Sequence, residues 1–191
     1  LNAYSQWGID CIQRFRGMFA FCLWDVKKDL FWLVRDRLGK KPLYYTVHNG
    51  ALFFASEIKA IFKNPAINRA INKKALCDYL TFGSTAAPDT MFEGIQKLHS
   101  AHLIKIHGNT ISSQQRYWNV LEQSRIIFRN EEEVIDNLMS CFKESVNYRR
   151  EADVEYGTLL SGGIDSSANL AILSKIVAKP VKAFTVGFSN K

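Results

Sequence analysis

A short stretch rich in serine and glycine, Ser-Gly-Gly-Ile-Asp-Ser-Ser at residues 161–167, has the composition of a phosphate-binding loop. Two adjacent glycines let the backbone approach a ligand closely, so that N–H groups at the start of a helix can point at phosphate oxygens. The serine hydroxyls add further donors. The stretch has no lysine, and the nearest one downstream is Lys175, so it differs from the G-x-x-x-x-G-K-[ST] loop. The pattern therefore predicts a cradle for pyrophosphate.

The sequence on either side predicts the elements that would hold this loop. Apolar runs at residues 154–160 and 181–186 predict two strands, and helix-forming residues occupy 168–177 between them. A strand, a loop, a helix and a second strand form a βαβ unit, whose first loop commonly binds phosphate. Two interpretations without a ligand stay open. The loop could be a glycine-rich turn that binds nothing, and Asp165 could simply stabilise the first turn of the helix.

The preceding sequence predicts an α+β fold with much antiparallel pairing over residues 1–118. Short apolar runs alternate with turn residues, and Asn49-Gly50 supplies the positive φ angles of a tight hairpin turn. Asn72 is expected to cap a helix because its side chain can accept a hydrogen bond from a backbone N–H of the first turn. The predicted elements are hairpins at 17–25/30–34 and 43–47/51–55, helices at 56–62 and 73–80, and strands at 95–106 and 109–113.

The character of the chain changes after Trp118, where polar and charged residues predict a linker at 119–129. A helix is expected to begin after Asn130 with three glutamates in its first turn and to continue to Arg150. Its apolar residues recur at helical spacing and predict a core-facing stripe, formed by Val134, Leu138, Met139, Phe142 and Val146. We therefore expect a second domain at 130–191. Its two strands are too few for a doubly wound sheet, so it would be only the start of an α/β domain.

Composition excludes several classes of function. The longest apolar runs are shorter than the 18 residues of a membrane span, and the start of the sequence lacks the features of a signal peptide, so a cytoplasmic protein is expected. The net charge is +7, with 16 Lys and Arg against 8 Asp and Glu in residues 1–118. These basic residues occur in separated pairs, which favours a solvated surface over a nucleic-acid site.

Other chemically active residues have ordinary explanations. Cys11, Cys22, Cys77 and Cys141 lack zinc or disulfide spacing and are expected to be buried thiols. The four histidines show no ligand spacing, so no metal site is expected from them. The Arg35-Asp36 pair lies beside Gly39 and Pro42, and we expect it to brace a turn through charge-assisted hydrogen bonds rather than to act in catalysis.

Several motifs in order give the sequence a recognisable family. The order S-G-G-x-D-S resembles the loop of ATP pyrophosphatases, which transfer AMP to a substrate. The further segments are 16–21 with Asp25, 35–45, 55–60, 79–83, 94–98 and 153–167. Together they resemble glutamine-hydrolysing asparagine synthetase from Tyr4 to Phe188. One departure is that Ser100-Ala101 precede His102, where the family usually has Pro-Gly, so this turn is expected to differ.

The resemblance implies two coupled activities. A class II glutaminase domain, of the N-terminal-nucleophile αββα sandwich type, releases ammonia from glutamine. A synthetase domain of the ATP-pyrophosphatase (adenine nucleotide α-hydrolase-like) type converts aspartate to β-aspartyl-AMP, which ammonia attacks, giving asparagine, glutamate, AMP and pyrophosphate. ATP and Mg²⁺ are the implied ligands, with Asp165 at the metal, and a homodimer is a further expectation. The implied nucleotide-binding residues are Leu160, Ser161, Gly162, Gly163, Asp165, Ser166, Ser167 and Val186.

The resemblance also implies residues that this sequence lacks. The family's glutaminase nucleophile is a cysteine at the mature N-terminus, whereas this chain begins with Leu1, so no catalytic residue is assigned. The chain is therefore interpreted as an internal fragment. In isolation this fragment is expected to be inactive and prone to aggregate. Two alternatives to an asparagine synthetase stay open. One is a relative that amidates or cyclises another carboxylate, and the other is a nucleotide-binding remnant without catalysis.

Overall fold

A computed structural model describes residues 1–108, 110–123 and 126–187 of the chain. The chain divides into two compact units, residues 1–124 and 125–191, which are described separately. Both contain helices and strands, as the sequence predicts. Within the described ranges, no helix is both long enough and apolar enough to cross a membrane.

The first unit contains three α-helices and seven strands among its described residues, with 3₁₀ turns at Gly8–Arg14 and Val120–Glu122. The second contains two helices and two strands. In chain order the elements are α1 (Asn2–Trp7), β1 (Ala20–Asp25), β2 (Leu30–Arg35), β3 (Tyr44–His48), β4 (Ala51–Ala55), α2 (Ile58–Ile61), α3 (Lys73–Phe82), β5 (Gln96–Lys97), β6 (His102–His107), β7 (Thr110–Arg116), α4 (Glu131–Arg149), β8 (Gly157–Leu159), α5 (Ile164–Ile176) and β9 (Lys182–Phe184).

The strands of the first unit form two antiparallel sheets. The larger has the order β1-β2-β6-β7, and the smaller has the order β4-β3-β5. Both hairpins predicted from the sequence are confirmed, with Asp25 paired to Leu30 in one and His48 paired to Ala51 in the other. The second turns through Asn49 and Gly50, whose φ angles are 50° and 75°. These positive angles are why an asparagine and a glycine occupy the turn.

The prediction of a single strand at residues 95–106 is wrong. These residues form two strands, β5, which joins the smaller sheet, and β6, which joins the larger one. A turn separates them, and Ala101 has a φ of 57°, an angle that glycine adopts far more easily. Its N–H donates to the carbonyl of Asp36 at 2.9 Å. The predicted strand at 109–113 is present as β7 from Thr110, while Asn109 lies outside the described residues.

The two sheets pack face to face, and helical segments cover their outer faces. Between the sheets lie Leu33 and Ile104 from the larger sheet and Tyr45 from the smaller one. The outer face of the larger sheet packs against α1 and the following 3₁₀ turn, and that of the smaller sheet against α2. The unit therefore has a layer order of helix, sheet, sheet and helix.

The Arg35-Asp36 pair braces the turn after β2, as the sequence predicts. The buried Asp36 carboxylate accepts backbone N–H groups of Leu38, Lys40 and Lys41 at 2.9–3.1 Å. The Arg35 guanidinium donates to the carbonyls of Gly39, Lys41 and Leu98. Each charged group is thus paired with several backbone groups, which offsets the cost of burying it.

The two helix caps are present as the sequence predicts, whereas α4 is less buried than the sequence predicts. The side chain of Asn72 accepts from Ala75 N–H, and that of Asn130 accepts from Glu133 N–H, which confirms both caps. On the predicted stripe of α4, Val146 is buried but Leu138 is 63% exposed. Within the second unit a two-stranded sheet and one facing helix present too little apolar surface to cover a 19-residue helix.

The cysteines are partly buried. No disulfide joins them, and Cys11 lies in the core. Cys77 and Cys141 are exposed, so the expectation that all four thiols are buried is wrong. Cys77 lies on α3 and Cys141 on α4, and both helices leave a large part of their surface open to solvent in the described chain.

Candidate functional site

A βαβ unit carries the serine- and glycine-rich loop. β8 and β9 are parallel, with Gly157 opposite Lys182 and Leu159 opposite Phe184. The pairing extends past the strand ends, because Leu160 N–H donates to Phe184 O at 2.8 Å and the Thr185 hydroxyl donates to Leu160 O. The loop that follows is therefore held at the carboxyl end of β8, immediately before α5 begins.

Glycine at the loop has a clear structural reason at one position. Gly162 has a φ of 82°, which L-residues with a Cβ rarely adopt, and it lets the chain reverse between β8 and α5. Gly163 follows as the N-cap of α5 with an extended backbone and no side-chain cap. The first N–H groups of the helix are consequently available at this end, where an anion is favoured.

The serine hydroxyls of the loop form a compact hydrogen-bond network. The Ser166 hydroxyl donates to Gly163 O at 3.1 Å and accepts the Ser161 N–H at 3.2 Å. The Ser161 and Ser166 hydroxyl oxygens are 3.1 Å apart, and Ser161 Oγ accepts the Gly163 N–H. The Ser167 hydroxyl donates to Gly163 O at 2.9 Å. The loop thus has a defined shape without any ligand.

Three of the predicted binding residues share one cavity. It has a volume of about 390 Å³, within the range of small-molecule pockets, and Ser161, Asp165 and Ser166 lie in its wall. Gly162, Gly163 and Ser167 lie in the same loop or helix start but outside this wall. The other lining residues are Val146, Arg149, Arg150, Tyr156, Gly157, Thr158, Leu159, Asn169 and Leu173.

Leu160 and Val186 lie close to the loop without lining that cavity. Leu160 follows β8 and is half-buried, and Val186 lies two residues beyond β9 and is exposed. Both therefore occupy the carboxyl ends of the parallel strands, where α/β folds place their ligands. The described residues do not bring them together with Asp165 in a closed pocket.

Asp165 lies in the first turn of α5 with an exposed side chain. Its backbone carbonyl accepts the Asn169 side-chain amide at 3.1 Å. No hydrogen bond or ion pair of its carboxylate is found among the described residues. The Asp165 carboxylate has the donor type that Mg²⁺ prefers, since Mg²⁺ is commonly held by one or two carboxylates together with phosphate oxygens and water.

The histidines lie elsewhere, in the first unit. The rings of His99 and His102 have centroids 5.2 Å apart, and burial, followed by the charges of His102 and Arg35, lowers the pKa of His99. Across residues 1–108, 110–123 and 126–187, no group of three or more His, Cys, Asp or Glu side chains is arranged to hold a metal ion.

Sequence reasoning missed the far wall of the loop cavity. Arg149 and Arg150 end α4, a position where arginine is favoured by the helix dipole alone, so the sequence offers no signal of a ligand. Asn169 occurs one turn after Asp165 on α5, and this i to i+4 spacing could have indicated it. Arg149 and Arg150 meet the loop only through the packing of α4 on α5.

Comparison with known families also divides the chain into two parts, roughly at the boundary between the two compact units. Residues 1–118 match the family described as "Glutamine amidotransferase domain", and residues 137–191 match the family described as "Asparagine synthase". The first match covers more than half of the chain. The second contains the loop, both parallel strands and α5.

Three curated relatives match nearly the whole chain. Asparagine synthetase [glutamine-hydrolyzing] 3 of Bacillus subtilis is 35% identical over 96% of this chain, and putative asparagine synthetase [glutamine-hydrolyzing] 2 of Methanocaldococcus jannaschii is 31% identical over 100%. A protein named amidase chry2, from Gibberella zeae, is 32% identical over 94%. The chain spans 30%, 38% and 26% of the lengths of these three proteins.

Proposed function

We propose that the complete protein is a glutamine-hydrolysing asparagine synthetase. The premise is that this chain belongs to the glutamine amidotransferase family over residues 1–118 and carries an asparagine synthase segment over residues 137–191. It would use ATP to activate aspartate as β-aspartyl-AMP and ammonia from glutamine to form asparagine. Glutamate, AMP and pyrophosphate are the other products. A cytoplasmic location and a homodimer remain predictions.

One observation carries this proposal. The S-G-G-x-D-S loop lies at the carboxyl end of a parallel strand and at the start of a helix, inside the segment that matches the asparagine synthase family. Adenylation requires the pyrophosphate leaving group to be held while the carboxylate attacks the α-phosphorus. A loop of N–H and hydroxyl donors stabilises that leaving charge without proton transfer.

The residues of the loop have separate roles in this proposal. Gly162 and Gly163 let the backbone approach the phosphates, and Ser161 and Ser166 present hydroxyls to the cavity. Ser167 donates both its hydroxyl and its backbone N–H to Gly163 O, so its part is to fix the first turn of α5 beside the phosphates. Leu160 and Val186 would contact the nucleotide at the strand ends.

Asp165 fits a role at Mg²⁺, since its carboxylate lies in the cavity wall and is not committed to another described residue. When bound, Mg²⁺ supplies positive charge that neutralises the phosphate oxygens and favours departure of pyrophosphate. The protein's own contribution is to hold that carboxylate at the start of α5, beside the hydroxyls of Ser161 and Ser166.

The first unit would form part of the glutaminase. Its two packed sheets with helical segments on the outer faces support an N-terminal-nucleophile-type αββα sandwich, and the βαβ unit supports an ATP-pyrophosphatase-type domain for the second unit. Aspartate is a poor electrophile as a carboxylate, whereas its acyl adenylate carries a good leaving group. The two domains would therefore supply the nucleophile and the activated acceptor of one reaction.

The products of ATP test this proposal directly. The complete protein is incubated with ATP, Mg²⁺, glutamine and aspartate, and phosphorus-31 NMR and amino-acid analysis follow the products. We expect AMP, pyrophosphate, glutamate and asparagine, with AMP formation dependent on aspartate. ADP and phosphate as the products would contradict the proposal, because the loop would then serve transfer at the γ-phosphate.

A second candidate function has one specific observation in its favour. The relative named amidase chry2 matches the chain about as closely as several relatives named asparagine synthetase. The proposed adenylation chemistry would be the same on another carboxylate acceptor. AMP formation that is weak with aspartate but strong with a different carboxylate would favour this candidate, whereas AMP formation with neither would favour a remnant without catalysis.

A further inference from the structure

Two adjacent arginines at the end of α4 contribute to the wall of the loop cavity. Arg149 is the last residue of α4 and Arg150 is its C-cap, and both line the cavity together with Asp165 and Ser166. We propose that these two guanidinium groups bind phosphate oxygens of the ATP or pyrophosphate at the loop. The inference rests on the proposed function and assigns to that site a pair of cations from a different element.

The charge of a polyphosphate favours such cations at the site. The loop contributes neutral N–H and hydroxyl donors and the negative Asp165, and it has no lysine of the kind that a G-x-x-x-x-G-K-[ST] loop places on the phosphates. A polyphosphate is strongly anionic. Among the described residues that line the cavity, the cations are Arg149 and Arg150.

The position of the arginines also corrects an electrostatic disadvantage. The C-terminal end of α4 carries unpaired carbonyls and partial negative charge, which would repel a phosphate at this wall of the cavity. Guanidinium groups placed at that end offset the partial negative charge and present N–H donors to the cavity. The same end of the helix then favours the anion that it would otherwise exclude.

Local hydrogen bonds hold both side chains while leaving donors for a ligand. Arg149 Nη1 donates to the carbonyl and the hydroxyl of Ser145 at 2.9 and 2.6 Å, and Arg150 Nε donates to Asn147 Oδ1 at 2.7 Å. Each of these contacts uses one nitrogen of a group that has five N–H donors. The planar fork that remains suits two phosphate oxygens at once.

Stabilisation of the end of α4 is the competing explanation, and pyrophosphate binding separates the two. In the complete protein, the dissociation constant of inorganic pyrophosphate with Mg²⁺ is measured by calorimetry for the wild type, Arg149→Gln, Arg150→Gln and the double variant. We expect binding about tenfold weaker or more in each single variant, because a charge-assisted hydrogen bond is lost. The double variant should also show a smaller dependence of affinity on salt.

The matched control is Lys143→Gln, which removes one positive charge from the same helix. Lys143 lines a different cavity, against α5, so pyrophosphate affinity should stay unchanged. Arg149→Lys should recover part of the affinity as a point charge without the planar fork. Release of glutamate from glutamine should be the same in every variant.

Chemical protection provides a test that needs no variant. Phenylglyoxal modifies arginine, and mass spectrometry of the wild-type protein then compares modification with and without pyrophosphate. We expect protection of Arg149 and Arg150 but not of the exposed Arg129. Unchanged pyrophosphate affinity in the double variant, or absence of protection in a wild type that binds pyrophosphate, overturns the inference alone. A wild type that binds neither pyrophosphate nor ATP overturns the proposed function as well.

Discussion

At the scale of single residues, charged side chains in the two units are used in opposite ways. Asp36 is buried and accepts three backbone N–H groups, so its charge is committed to the shape of a turn. Asp165 has the same side chain at the surface of a cavity, with no described partner for its carboxylate. A carboxylate whose acceptor capacity is unused is the one available to a ligand.

Asp165→Asn tests this difference in the complete protein. The substitution removes the negative charge proposed to hold Mg²⁺ while keeping the size of the side chain, so aspartate-dependent AMP formation should fall by about tenfold or more. Glutamate release from glutamine should be little affected. Asp136→Asn, on the exposed surface of α4, serves as the control. An equal loss of both activities would indicate that Asp165 acts on the fold.

Tyr117 gives a prediction about pH. Its hydroxyl donates to Arg35 O at 2.8 Å, and burial, opposed by Arg37 and assisted by Asp36, raises the pKa of Tyr117 from 10.0 to about 12. Because the folded state favours the neutral phenol, the contribution of Tyr117 to the free energy of unfolding is present below pH 10 and is lost as the pH rises towards 12.

Urea denaturation at several pH values checks this contribution. Tyr117→Phe should be less stable than the wild type by about 1 kcal/mol at neutral pH, the typical net value of one hydrogen bond. The gap in the free energy of unfolding should narrow between pH 10 and 12. A gap for Tyr117→Phe that stays constant between pH 10 and 12 would contradict the prediction.

At the scale of elements, the close approach of β8 and β9 depends on a glycine. A Cβ on Gly157 would lie 2.7 Å from Phe184 Cε2 and 2.9 Å from Lys182 O, both on the paired strand. The ring could shift, but the carbonyl is part of the strand pairing that holds the loop. Gly157 is thus required by the space between two strands, although its φ is ordinary.

Gly157→Ala should therefore weaken the second unit. We expect a loss of about 2 kcal/mol in its free energy of unfolding, as for an overpacked site, and weaker pyrophosphate binding because the loop follows β8 directly. Gly187→Ala is the matched control, since no atom lies within 4 Å of its added Cβ. Thermal denaturation measures the stability of both variants. Equal stability of the two would show that β9 shifts to make room for the methyl group.

Sequence reasoning predicted those elements whose signals are local. Asn49-Gly50 marks a hairpin and Asn130 marks a helix start because turn and cap chemistry lies within a few residues. The division of residues 95–106 was not predictable, since the run contains no Gly, Pro, Asn or Asp to mark a turn and its turn depends on the Ala101 contact with Asp36. The arginines of the loop cavity were missed for the same reason, because only the packing of α4 on α5 brings them to Ser161.

At the scale of the whole molecule, the chain divides into two compact units, residues 1–124 and 125–191. Residues 126–129 form neither helix nor strand, and Ile127 and Arg129 are exposed. The predicted linker at 119–129 stays a prediction, since proteolysis of the protein in solution would be its direct test.

Brief digestion with trypsin should cut this segment first. We expect cleavage after the exposed Arg129 before any cut inside the strands of either unit, because proteases need an exposed and locally unfolded backbone. Mass spectrometry of the first products identifies the cut. Arg129→Gln should abolish this first cleavage, and a first cut within residues 131–187 of the wild type would contradict this organisation.

The turn between β5 and β6 has a consequence for how the first unit folds. Residues 96–97 belong to one sheet and residues 102–107 to the other. The turn between them is fixed by the Arg35 guanidinium, which donates to Leu98 O, and by the Asp36 carbonyl, which accepts the Ala101 N–H. Neither sheet can complete its hydrogen bonding unless this short segment reaches both. The two sheets should consequently gain and lose their order in a single cooperative step, with amides in β3 and β6 exchanging their hydrogens through the same global opening.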